Sequence, residues 1–332
     1  MDTDTVLRAL PRLIARVRRA AWPALSSVGL PALAAATAHA HPEDEAAVPA
    51  HPGWSAWVFD PLVIGPLAIA ATLYARGIWR LNRRGAAEYS PRSLRVIAYW
   101  AGWLSLIIAL LSPVHRLGAF LFWVHMVQHE ILMLVSAPLL ALSRPLVPML
   151  WGLPGGWARS AAGLLREPRA RWSWALLTTP FVAWAVHGVA LWVWHGPALF
   201  QATLHNDFIH YVQHLTFFGT GLLFWWSIFH HRLGYAVYGV GVLYVFMTAV
   251  HSSILGALLT FAPAVWYPAY LETTKAWGLT ALEDQQLAGL IMWVPAGVAY
   301  GVIGLLLFVS WMNGSSRRMA GPLGDGELYP LR

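Results

Sequence analysis

The most regular feature of the sequence is a series of long apolar stretches separated by short polar segments. Each stretch approaches the roughly 20 residues that a helix needs to cross the hydrocarbon core of a bilayer. Seven stretches follow the first 57 residues, near 60–80, 94–112, 119–142, 172–194, 207–229, 234–260 and 285–311. The pattern predicts an all-α fold, a polytopic membrane helical bundle of about seven transmembrane helices that follows an N-terminal signal-like segment.

The basic residues are concentrated in alternate connections between these stretches. Arginines occur in RLNRRGAAEYSPRSLR, in the segment before the fourth stretch, in HHRL and in SSRR. The other connections carry only Arg116 and Lys275 as basic residues, and they hold Asp207, Glu272, Glu283 and Asp284. Because positively charged loops remain cytoplasmic, we expect an outward N-terminus and a cytoplasmic C-terminus in a bacterial inner membrane. The segment from Pro145 to Trp172 is too rich in Pro and Gly to span, and it predicts a short amphipathic helix along the inner interface.

The first 40 residues have the composition of a signal peptide. An arginine-rich start is followed by the apolar AAWPALSSVGLPALAAATAHA, and small residues precede a cleavage position after Ala40. The alternative is an uncleaved anchor helix. We therefore expect a signal peptide at 1–40, an outward-facing tail at 41–57, a membrane domain at 58–314 and a cytoplasmic tail at 315–332.

Composition excludes several classes of function. Hydrophobic residues make up 58% of the chain and charged residues 11%, and cysteine is absent, so thiolate metal sites and disulfides are excluded. The net charge of +7 comes from 21 arginines and a single lysine in short connecting segments, a pattern of topology signals and not of a nucleic-acid-binding surface. The chain has no nucleophile motif or phosphate-binding loop, so we do not expect an enzyme.

Histidines interrupt the apolar stretches at one depth. HMVQHEILM carries His125 and His129, and LHNDFIHYVQHLTF carries His210 and His214. Histidines four residues apart share one helix face and can chelate a metal ion, so two such helices can supply four nitrogen ligands. A buried polar group is costly in a membrane unless it is paired or liganded, which marks these residues as functional candidates.

Other polar and thioether side chains fall near the same depth. The metal-ligand set that we predict is His125, His129, His210, His214, His195 and His251. Side chains with an expected auxiliary role are His187, His205, Glu130, Met126, Met133 and Met247. For each histidine the alternative is a hydrogen bond between helices, and for each methionine it is simple packing. His115 and His230 are expected at the membrane interfaces.

Three segments resemble a known family. They are HMVQHEILMLVSAPLLALSRP, WHGPALFQATLHNDFIHYVQHLTFFGTGLLFWW and LEDQQLAGLIMWVPAG. Their combination resembles the polytopic CtaG-like assembly factors of cytochrome c oxidase. The resemblance implies a role in maturing a haem-copper oxidase. The motif residues that it carries over are His125, His129, His195, His210, His214, Asp284 and Gln285.

The leading hypothesis is copper handling, in which histidines hold Cu(I) and pass it to a haem-copper oxidase subunit in the bilayer. One alternative is a haem b-binding electron-transfer protein with histidine axial ligands. A di-iron oxygenase and a metal-free scaffold for an oxidase subunit are the others. The expected partners are that subunit and the lipid bilayer, with no nucleic acid.

Overall fold

The computed structural model describes residues 57–230 and 236–319, with the backbone alone for 236–238 and 314–319. Every regular element in these ranges is helical, which confirms the all-α fold. The predicted signal peptide, nearly all of the predicted tail at 41–57 and residues 320–332 lie outside the described residues. The domain boundaries therefore stay predictions.

The helices are numbered here in chain order. They are α1 Pro61–Asn82, α2 Leu94–Leu111, α3 Pro113–Gly118, α4 Phe122–Glu130, α5 Ala137–Ser143, α6 Leu146–Gly152, α7 Gly155–Arg166, α8 Pro168–Leu177, α9 Pro180–Trp194, α10 Pro197–His205, α11 Asp207–His230, α12 Ala236–Thr260, α13 Tyr270–Thr273 and α14 Ala281–Met319. A π-helical turn, Ile131–Ser136, joins α4 to α5.

Local capping explains where several helices begin. Asp60 precedes α1, and its Oδ1 accepts a hydrogen bond of 2.8 Å from the Leu62 amide. Ser112 precedes α3, and its Oγ accepts from the Val114 amide at 3.2 Å. Each of these helices has proline as its first residue, where the missing N–H costs nothing. The sequence therefore sets the start of both helices by short-range chemistry.

Five helical segments of the described chain are long and apolar enough to cross a membrane, which supports a polytopic membrane protein. They are Pro61–Asn82, Ala87–Leu111, Phe122–Ser143, Gly239–Thr260 and Ala281–Asn313. The bent pair α8 and α9 would make six, so the predicted count of seven is not confirmed. Helix α11 has 24 residues, but the polar side chains along it lower its mean hydropathy.

The fourth predicted stretch, 172–194, is not one straight helix. α8 and α9 meet at an angle of 67°. Thr179 is extended (ψ 129°) and Pro180 starts α9, because a residue before proline is disfavoured in the helical region. The preceding segment contains α6 and α7, and α7 has no buried residue. The position of this segment along the inner membrane interface stays a prediction.

Helices α12 and α14 pack closely through glycine. A Cβ atom on Gly289 would lie 2.5 Å from the Gly256 carbonyl oxygen, so only glycine permits this approach. Large apolar side chains on the outer faces remain exposed, among them Phe246 (58%) and Val298 (62%), and these faces suit contact with lipid. Helix α14 continues to Met319, beyond the predicted end at residue 311.

One end of the bundle, here the histidine end, contains α3, α10, the 261–280 loop, the starts of α4, α11 and α14, and the end of α9. Its core is aromatic. Phe122, Phe200 and Tyr267 are almost fully buried and have mutual ring-centroid distances of 4.4 to 5.1 Å. This rigid packing lies directly beside the candidate site.

Candidate metal centre

The helix that carries His125 and His129 obtains its N-terminal cap from a distant part of the chain. Leu121 precedes α4 but supplies no side-chain cap. Instead, Asp284 on α14 accepts hydrogen bonds from the amides of Phe122 at 2.7 Å and Trp123 at 3.1 Å. Asp284 is fully buried, and these bonds satisfy two amides that a helix start leaves without intrahelical partners. Asp284 thus positions the first histidine pair.

The π-helical turn fixes the other end of α4. The amide of Ala137 donates to the Leu132 carbonyl five residues earlier, which displaces the α-helical register. The Met133 carbonyl would then require a donor at residue 138, which is a proline without an N–H. The indole Nε1 of Trp225 on α11 donates to this carbonyl at 2.8 Å. This hydrogen bond connects the π-helical turn after α4 to α11, the helix that carries His210 and His214. π-Helical turns are frequent at functional sites.

Six histidine rings form one continuous cluster at the histidine end. Ring centroids lie 4.4 Å apart for His125 and His129, and 4.2 Å apart for His210 and His214. The two pairs meet, with 5.5 Å between His129 and His214. His195 lies 6.2 Å from His129, and His115 lies 5.4 Å from His210. The structure therefore joins five of the six predicted ligands and adds His115.

Ring nitrogens within this cluster form two overlapping groups of three. The inner trio is His125, His129 and His214, and all three are buried. The rim trio is His115, His210 and His214, and its first two members are half-buried. Within each trio the nitrogens lie within 4.8 Å of one another. A metal about 2.1 Å from each nitrogen would need separations of about 3.4 to 4.2 Å, which small ring rotations can supply.

Several buried ring nitrogens have no hydrogen-bond partner. In the cluster they include His125 Nε2, both nitrogens of His129, His195 Nε2 and His214 Nε2, with the Gln213 amide beside the first two rings; outside the cluster both nitrogens of His251 also lack a partner. Buried polar atoms are nearly always paired, because leaving one unpaired costs about 1 to 3 kcal/mol. Such a concentration among neighbouring rings is the pattern expected of ligands awaiting a metal ion.

His195 is prepared to act as a ligand. It follows α9, and its Nδ1 donates to the Leu191 carbonyl at 2.6 Å, so the lone pair of the neutral ring is on Nε2. Burial lowers the pKa of His195 to about 4, against the smaller opposing effect of this hydrogen bond. The ring therefore stays neutral near pH 7, the form that binds metals.

Two buried glutamines and His115 were not among the predicted site residues. Gln128 Nε2 donates to the Ala109 carbonyl and to His115 Nδ1, both at 2.8 Å. Gln213 is fully buried beside His125 and His129. A sequence signal for both glutamines exists, because α4 and α11 share the pentapeptide His-x-Val-Gln-His. His115 was expected at a membrane interface, and no comparable spacing distinguishes it.

The 261–280 loop covers the cluster and binds to the helix ends around it. Tyr267 donates to the His195 carbonyl at 2.8 Å, and Tyr270 to the Gly118 carbonyl at 2.9 Å. Burial raises the pKa of Tyr270 well above its usual value, so its hydroxyl remains a donor. Gln285 Oε1 accepts from the Trp266 amide at 2.6 Å. The side chains of Asp284 and Gln285 therefore hold the surrounding backbone in place and belong to neither histidine trio.

His187 and His251 lie apart from the cluster. His187 Nδ1 is 3.1 Å from the Thr220 hydroxyl, and the hydroxyl donates to the Thr216 carbonyl. The ring of His251 lies 6.1 Å from that of Trp184. His251 was predicted in the ligand set because it shares the depth of the other histidines, but it faces a different part of the bundle.

The remaining candidates also lie away from the ligand set. Met126 and Met133 belong to the packed aromatic core, whereas Met247 is 40% exposed on α12. His205 is exposed at the end of α10. Glu130 lies near Tyr300 on α14, and its Oε2 is buried without a partner. The structure gives none of these side chains a place in either trio.

The fold and this site define a polytopic helical membrane protein with a buried histidine cluster at one end. The family model for cytochrome c oxidase caa3 assembly factors matches residues 72–314, well over half of the chain. The chain belongs to this family, as the sequence resemblance implied. No curated protein and no solved structure is significantly similar to the chain.

Proposed function

We propose that this protein assists oxidase assembly by holding Cu(I) in the inner trio and transferring it to an oxidase subunit. The observation that carries the proposal is the group of three buried histidines with partnerless ring nitrogens, flanked by His195. Imidazole suits copper, and a chain without cysteine must rely on such ligands. The role is that of a carrier and requires no catalysis.

Membership of the family supports the choice of metal. A cytochrome c oxidase needs copper at its redox centres, and an assembly factor can supply it in the membrane where the subunit resides. We propose the bacterial inner membrane, with the histidine end facing outward, because the arginine-rich connections lie at the other ends of the helices. The partner would be a haem-copper oxidase subunit beside the lipid-facing helices.

The close ring contacts favour a single ion over haem. The rings that face each other from α4 and α11 have centroids 5.2 Å apart for His125 and His210 and 5.5 Å apart for His129 and His214, which leaves no slot for a macrocycle between them. Haem ligation would require a gap between opposed histidines. A bis-histidine haem spectrum in the purified protein would overturn this preference.

The test is metal analysis of detergent-purified protein after exposure to Cu(I) and removal of excess. We expect about one copper per wild-type chain and loss of that copper in His129→Ala, because removal of a ligand costs far more than the 10- to 100-fold typical of a supporting residue. His205→Ala is the matched control, since this exposed histidine lies at the same end but in neither trio. A wild-type protein that retains no copper would leave a metal-free scaffold as the function.

A further inference from the structure

We propose that the rim trio is a loading position that receives Cu(I) and hands it to the inner trio through their common member, His214. This inference rests on the proposed copper function. It concerns the order in which the two trios bind Cu(I). Three features of the structure indicate that the ion moves from the rim trio to the inner trio.

The first reason is burial. His115 and His210 are half-buried, whereas His125 and His129 are each 1% exposed. An ion from water can meet the rim trio without opening the aromatic core or the 261–280 loop. Because His214 belongs to both trios, an ion can keep one ligand while it exchanges the other two.

The second reason is the hydrogen bonding of His115. Gln128 uses both amide hydrogens, one to the Ala109 carbonyl and one to His115 Nδ1. The neutral ring of His115 then has its proton on Nε2, and this proton must move to Nδ1, with loss of the Gln128 hydrogen bond, before Nε2 can bind copper. His195, beside the inner trio, has the opposite tautomer and offers a free lone pair. The rim should therefore bind more weakly than the inner position.

The third reason is charge near the rim. Asp60 accepts a hydrogen bond from Tyr211, which follows His210, and Asp207 lies in the first turn of the same helix. Asp207 is one helical turn from His210 and attracts a cation, whereas Arg116, which follows His115, opposes this effect, so charge is the weakest of the three reasons. The copper remains Cu(I) throughout, so the transfer exchanges ligands and requires no electron donor.

The experiment measures the loading rate separately from the amount of copper retained. Full-length protein in detergent is mixed with the Cu(I) complex of bicinchoninate, and transfer is followed by loss of the chelator colour. We expect His115→Ala to load about tenfold more slowly, at the low end of the 10- to 100-fold effects seen when a side chain at a metal site is removed, and still to retain one copper in the inner trio. His129→Ala should lose the retained copper, and His205→Ala should match the wild type.

His210→Ala provides a second test if His115→Ala fails to fold, and it should also slow loading. If the folded rim variants load copper at the wild-type rate and retain one copper, the inference is wrong but the proposed copper function is unaffected. Two coppers per wild-type chain would also overturn it, because the two positions would then be filled together. A wild-type chain without copper would instead overturn the proposed function itself.

Discussion

Helices α4 and α11 present the same pentapeptide, His-x-Val-Gln-His, in different surroundings. Both histidines of α4 are buried and belong to the inner trio. On α11, His214 is buried and belongs to both trios, whereas His210 is half-buried at the rim. The repeated motif therefore occupies two different environments: the α4 pair lies wholly within the inner trio, and the α11 pair extends from the inner trio to the rim trio.

The two helices also differ in what holds their first turn. Asn206 caps α11 locally, and its Oδ1 accepts from the Ile209 amide at 3.1 Å. α4 has no local side-chain cap and depends on Asp284 of the last helix. The comparison teaches that the geometry of α4 is a property of the whole fold, whereas that of α11 begins in its own sequence.

The largest expected effect follows from the shared member of the trios. His214→Ala should weaken Cu(I) affinity by about 100-fold or more, or at least about 2.7 kcal/mol, because it removes a ligand from both positions. His210→Ala should change the equilibrium affinity far less. Competition with a calibrated Cu(I) chelator measures both constants, and equal losses in the two variants would contradict the assigned roles.

The next prediction compares how much the Asp284 cap of α4 and the Asn206 cap of α11 contribute to stability. Asp284→Ala leaves one buried and one part-buried amide of α4 without acceptors, and it should lower the free energy of unfolding by about 3 kcal/mol. Asn206→Ala should lower it by about 1 kcal/mol, since water can replace an exposed cap. Thermal unfolding in detergent ranks the two variants. A Tm that falls more in Asn206→Ala would show that α4 does not need the distant cap.

A smaller contrast is expected between the two glutamines. Gln128→Leu removes donors to the Ala109 carbonyl and His115, and should destabilise the protein by about 2 kcal/mol. The amide atoms of Gln213 are buried without a hydrogen bond of good geometry, so Gln213→Leu should be close to neutral in stability. Chemical denaturation in detergent compares them, and a marked loss in Gln213→Leu would indicate a pairing between this amide and the histidines.

The smallest effect concerns the bond between the two helices at the π-helical turn. Trp225→Phe removes the donor to the Met133 carbonyl but keeps most of the buried ring, and should cost about 1 kcal/mol. Trp226→Phe is a control, since the neighbouring indole packs against Trp174 and His230. The difference in Tm between the variants measures the bond, and no difference would mean that the carbonyl finds another donor.

Much of the fold could be predicted from sequence because span length and capping are local properties. α1 and α2 begin and end within two residues of the predicted stretches. The bend before Pro180 was missed, because hydropathy averaged over a stretch does not register a change of direction. The low hydropathy of α11 likewise reflects the histidines and glutamine that make it a candidate functional helix.

The sequence predicts how far along the bundle axis each candidate residue lies, but not which side of the bundle it faces. Counting residues from the helix ends predicted that His251 shares the depth of the other histidines, but depth says nothing about position around the bundle, and His251 lies beside Trp184 and Gly188 of α9. His115 was missed because it lies on the six-residue helix α3, outside the predicted membrane stretches. Gly118 lets α3 approach α4 closely, since a Cβ there would be 3.3 Å from His125 Cα, and the sequence does not reveal this contact.

The cap that Asp284 provides has a consequence for biosynthesis. Phe122 and Asp284 are separated by 162 residues. At about 5 to 20 residues per second, a ribosome needs about 8 to 30 s between them. Throughout that interval the newly inserted α4 has an uncapped start, and the inner histidines have no final geometry. Under the proposed copper function, a half-made chain would therefore capture copper poorly until the last helix is inserted.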